Sequence, residues 1–132
     1  MSPRLLFVMV VTLSLLAGCQ GVQLKDKQNT LEDALHAYGS TLRWGNVADA
    51  YGFLTPELAQ QAQVPGNLAN IKVTQYQQLS SPVMKDTEAS VSVGIRYIHQ
   101  DRQVERTLTD KQEWRHFEGI GWRRSNPIPE FR

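Results

Sequence analysis

The chain of 132 residues has one cysteine, Cys19, so no internal disulfide can staple its fold. It also lacks an apolar run near the roughly 20 residues that a helix needs to cross a bilayer. The longest such run, Leu5 to Leu16, is 12 residues and includes Thr12 and Ser14, which argues against a membrane anchor made of protein. Charge of one sign is missing too: 14 basic against 13 acidic side chains leave a net charge of +1. Nucleic acid would demand a basic face to neutralise phosphates, so it is not an expected partner. His36, His99 and His116 are far apart in sequence, without the close spacing of a local zinc motif, and no metal or cofactor is expected. No serine sits in a Gly-x-Ser-x-Gly elbow, and there are no repeats or low-complexity tracts.

What is present begins at the amino terminus. Arg4 gives a charged start, Leu5 to Leu16 an apolar stretch, Ala17 and Gly18 two small residues, and Cys19 closes the series. Leu16-Ala17-Gly18-Cys19 resembles the lipobox of bacterial lipoproteins. That resemblance implies cleavage before Cys19, a diacylglyceryl group on its sulfur and fatty acyl chains such as palmitate on the new terminus. Each buried methylene stabilises attachment by about 0.8 kcal/mol, and two or more long chains suffice for durable anchoring. Residues 1–18 are then signal peptide. Gln20, in the place where aspartate would favour retention at the inner membrane, implies sorting to the outer membrane facing the periplasm in a host with two membranes. Without Arg4 the rest carries 13 basic and 13 acidic side chains, so the mature domain is neutral.

Gln20 to Asn29 is polar and aperiodic, so residues 19–29 are expected to form a tether reaching at most roughly 35 Å. Residues 30–132 form one domain, long enough to bury roughly two thirds of its unfolded surface. Thr30 reads as a helix N-cap with Asp33 three residues on, and Leu31, Leu35, Tyr38 and Leu42 form an apolar stripe behind it. Trp44-Gly45-Asn46 interrupts the helix. Val47, Ala50, Tyr51 and Leu54 restart the period, and Thr55-Pro56-Glu57 opens a third short helix that Pro65-Gly66-Asn67 ends.

From Ile71 the period becomes two. Strands are expected over Ile71 to Leu79, over Ala89 to Tyr97, over Val104 to Phe117 and from Trp122 to Arg124. Lys85-Asp86-Thr87, Gln100-Asp101-Arg102 and Glu118-Gly119-Ile120-Gly121 supply the turns of an antiparallel meander, and Pro127 and Pro129 end regular structure. Helices first and long strands afterwards indicate an α+β domain, its N-terminal helices packed on a curved antiparallel sheet. The helices around Leu31 to Leu54, the strand Ala89 to Tyr97 and the series Trp114, Gly119-Ile120-Gly121-Trp122-Arg123, Pro129 and Phe131 resemble the nuclear transport factor 2-like, or SnoaL-like, cone fold. The resemblance covers most of residues 30–131. Members include isomerases, dehydratases, transport factors and assembly partners, so the fold alone does not name a function.

The resemblance implies that any small-molecule site lies on the concave side. Strand parity puts Arg106, Leu108, Asp110, Gln112, Trp114 and His116 on one face. Trp44, Leu108, Gln112, Trp114, His116 and Trp122 are therefore candidates to line a pocket. Asp110 is a candidate general base if burial raises its pKa, with Tyr38, Tyr51 or Tyr97 donating to an oxyanion, as isomerases of this fold do. The alternative leaves Asp110 in solvent or paired with an arginine, with a bulge near Arg115 or His116 exchanging the faces, since Phe117 has the opposite parity to Trp114. Arg123, Arg124 and Arg132 read as a solvated edge. The favoured function is a membrane-anchored module that binds a protein partner or a small apolar ligand; a small isomerase or dehydratase is the other reading.

Overall fold

The computed structural model describes the backbone from residue 3 to residue 132 and side chains from residue 21 onward. The Cys19 side chain and the signal segment 1–18 thus lie outside the residues whose side chains are described. Two compact units, Met1–Glu32 and Asp33–Arg132, meet within one long helix, α1 (Pro3–Trp44).

In the first unit, residues 21–30 are helical and solvated, where an irregular tether was expected. The stretch has no proline, its central residues Gln23, Leu24, Lys25, Lys27 and Gln28 are good helix formers, and a solvated helix needs no apolar stripe. Thr30 therefore caps nothing. Its hydroxyl donates to the Lys27 carbonyl one turn back, at 3.1 Å, inside the continuous helix. Among the described residues no helix is long and apolar enough to cross a membrane.

In the second unit the expected α+β order is observed: helices come first, followed by a strongly curled antiparallel half-barrel. The expected stripe Leu31, Leu35, Tyr38 and Leu42 is buried throughout. After Trp44 the chain forms a 3-10 stretch, Val47–Phe53, in place of the expected α-helix, and then α2 (Pro56–Gln61). Thr55 precedes Pro56 at the start of α2 but makes no side-chain capping bond; its backbone N–H instead donates to the Arg124 carbonyl at 2.9 Å.

The strands are β1 (Ile71–Gln78), β2 (Val83–Lys85), β3 (Glu88–His99), β4 (Val104–Phe117) and β5 (Gly121–Arg124). They lie in the order β1, β3, β4, β5, with β2 continuing the β1 edge alongside β3. β2 was not expected; it is three residues long, just after Pro82, and too short to show a period in the sequence. The expected turns recur, with Asp86, Gln103, Gly119 and Gly121 at positive φ.

β3 and β4 pair without interruption from Glu88 opposite Arg115 to His99 opposite Val104, and β4 continues in register against β5. The face exchange considered near His116 does not occur. The irregularity lies instead in β1, where Thr74 is the extra residue between Val73 and Gln75. Inward residues Ala89, Val91, Val93, Ile95, Tyr97 and His99 alternate along β3, opposite Asp110, Gln112 and Trp114 of β4. The tail adds Ile128 and Phe131, and the Phe131 ring meets Tyr97 edge-on at 5.0 Å.

Candidate functional site

Strand parity holds for the central part of β4: Asp110, Gln112 and Trp114 are all buried on the inner face. Directly across β5, Arg124 enters the same interior with only 1% exposure, although its neighbours in sequence suggested a solvated edge. Burial of a guanidinium is tolerable only if its charge and all its donors are matched. Here they are. Nε donates to the Asn126 carbonyl at 3.1 Å, Nη1 to the Tyr38 hydroxyl at 2.9 Å and to Asp110 Oδ2 at 2.7 Å, and Nη2 to Asp110 Oδ1 at 2.7 Å and to the Pro127 carbonyl at 2.8 Å. The pair is bidentate, the geometry in which guanidinium and carboxylate match best.

The network extends outward through Gln112. Its amide nitrogen donates to Asp110 Oδ2 at 3.0 Å and to the Tyr76 hydroxyl at 2.9 Å, while Trp114 Nε1 donates to its amide oxygen at 3.1 Å. Tyr38 sits at the centre, edge-on to Phe53 and to Trp114. Burial drives the Tyr38 phenol well above its ordinary range, against the opposing pull of Arg124, and burial pushes Tyr76 up to about 12. Burial opposes the Arg124 charge more than any single partner supports it, but the bond to Asp110, the charge of Asp110 and the two phenols Tyr38 and Tyr76 together outweigh it, and the guanidinium is held protonated.

This geometry corrects the general-base expectation. Both Asp110 oxygens face the guanidinium, one of them also meeting Gln112, so a base here would have to break a buried ion pair to accept a proton. The alternative considered for the sequence, Asp110 paired with an arginine, is what is found. Of the three candidate donors, only Tyr38 reaches the cluster, and its hydroxyl accepts from Arg124, which stands between it and Asp110. Tyr97 is buried elsewhere and donates to the Arg132 carbonyl at 2.9 Å. Tyr51 lines a separate hollow of about 320 Å³ with Leu58, Pro65 and Ile128.

The expected pocket lining is likewise dispersed. Gln112 and Trp114 fill the interior, the Trp114 ring also bordering a shallow cavity of about 290 Å³ beside Val83 and Ala89. Trp122 is buried next to the His116 ring at 5.2 Å, and Leu108 is half-buried opposite Ile95. Trp44 points away from all of them, 77% exposed at the end of α1. The reason is volume: Trp114 packs on Tyr38, and Trp122 on the His116 ring, where a void was expected. Arg124 and Tyr76, the two residues that complete the cluster, were not singled out for it, because strand parity orders residues along one strand and cannot show what faces them from another. Among the described residues no cluster of His, Cys, Asp and Glu is arranged to hold a metal ion.

No protein-family model matches this chain, and no curated protein or solved structure is significantly similar to it. The curled half-barrel with its covering helix is compatible with the nuclear transport factor 2-like fold on geometry alone.

Proposed function

We propose that this chain is a bacterial lipoprotein, held through lipid on Cys19 at the outer membrane facing the periplasm, whose nuclear transport factor 2-like domain binds a ligand or partner without transforming it. The anchor rests on Leu16-Ala17-Gly18-Cys19 behind a 12-residue apolar stretch. Binding in preference to turnover rests on one observation: Asp110, the acid best placed for proton transfer, has both oxygens committed to Arg124. Such an arrangement fixes the interior and leaves recognition to the surface. Confinement to a membrane raises the local concentration of anything in the same membrane, so modest affinity is useful there.

Detergent phase partitioning and intact-mass measurement test the anchor. The wild-type chain should enter the detergent phase with the mass of a lipid-modified Cys19, and Cys19→Ser should stay aqueous and unmodified. An unmodified wild-type cysteine would refute the proposal.

A further inference from the structure

A cavity of about 520 Å³ lies where α1 ends against the β1 edge. Its floor is apolar, from Leu42, Val47, Leu68, Ile71 and Val73, all buried. Its rim carries Arg43, Trp44, Asn46, Lys72 and Gln100, and none of its 13 lining residues is acidic. Two features make the rim a built site. The β1 bulge sets the Val73 carbonyl toward α1, where Arg43 Nη1 donates to it at 3.1 Å. The same guanidinium lies 3.9 Å from the centre of the Trp44 ring, so it is held at two points. Among the described residues it makes no other hydrogen bond, which leaves four of its five N–H groups for a ligand. The α1 C-terminus opposes an anion with about half a negative charge, against two full positive charges from Arg43 and Lys72.

We infer that this cavity binds a small oxyanion carried on a ring that has at least one apolar face: the carboxylate or phosphate meets Arg43 and Lys72, and that face of the ring packs on Trp44 and the apolar floor. This rests on the proposed role as a binding module and gives that role a ligand class. A fixed fork with free donors matches carboxylate and phosphate alike, and the fork is oriented before the ligand arrives. An exposed tryptophan beside it supplies apolar area to a ring with little loss of side-chain freedom.

The test is calorimetry and tryptophan fluorescence on the full mature chain in detergent, with indole-3-acetate, glucuronate and glucose 6-phosphate as probes and glucose as the neutral control. At least one ring oxyanion should bind and perturb the fluorescence. Its identity separates aromatic acid, sugar acid and sugar phosphate. Arg43→Gln should weaken that binding roughly 10-fold or more, as expected for loss of a charge-assisted contact, and Trp44→Ala should weaken it and abolish the fluorescence response. Lys72→Gln, at an exposed position, should weaken it about 3-fold and serves where Arg43→Gln disturbs folding. No binding by any probe below about 10 mM, glucose binding as well as the anions, or affinity unchanged in the folded variants would overturn the inference. Partitioning into detergent with no binding would refute the cavity alone, and binding without lipid would refute the anchor alone.

Discussion

Arg124 and Asp110 carry opposite charges in a place where neither would be stable by itself. Taking one away leaves the other desolvated, and a buried ion pair broken in that way costs about 3–5 kcal/mol. Asp110→Asn should therefore lower stability by about that amount in urea denaturation, an effect that loss of a catalytic base alone would not produce. Asp110→Leu combined with Arg124→Met should be less harmful than the sum of the single changes, because no charge is then left stranded. The tyrosines set a second, pH-dependent expectation. Tyr76 rises from 10.0 to about 12 and Tyr38 is also raised, both chiefly by burial, so the folded state favours the neutral phenols. That contribution is complete below the free-phenol value of about 10 and is lost as pH climbs through about 12. Stability followed by circular dichroism should fall across that alkaline window, and Tyr38→Phe with Tyr76→Phe should flatten the fall while lowering stability at neutral pH through lost hydrogen bonds.

Where α1 crosses the sheet, Gly39 is buried and a Cβ placed on it would lie 2.7 Å from the edge of the Tyr76 ring. Alanine is worth up to about 1 kcal/mol more than glycine within a helix, yet this contact forces a ring that holds the Gln112 bond to move. Overpacking of this kind costs about 1–3 kcal/mol, so Gly39→Ala should destabilise the domain on balance, and pairing it with Tyr76→Leu in a double-mutant cycle should reveal favourable coupling. The strands were legible because β3 alternates cleanly and Asp86, Gln103, Gly119 and Gly121 sit where turns need them. The helix over residues 21–30 was not, since its side chains are solvated and leave no apolar period to read. Parity placed Asp110, Gln112 and Trp114 on one face correctly. It could not show Arg124, which reaches them from β5 and whose neighbours Arg123 and Ser125 look like any polar strand end.

Across the whole second unit, the pieces that close the interior are far apart in sequence. Arg124 binds Tyr38 across 86 positions, its carbonyl accepts from Thr55, and beyond it Asn67 donates to the Phe131 carbonyl at 3.0 Å across 64 positions. Contacts of such long range form late, because the loops between them must close first. Until Arg124 has left the ribosome, Asp110 lacks its charge partner and keeps only the Gln112 amide, and Tyr38 lacks the guanidinium that donates to its hydroxyl. A nascent chain halted at Asn126, with Arg124 still inside the ribosomal tunnel, should therefore be degraded readily by protease, whereas one extended so that Arg132 is clear of the tunnel should resist. The half-barrel thus works as a latch: it stays slack while β5 is missing and stiffens when Arg124 reaches Asp110 and Tyr38.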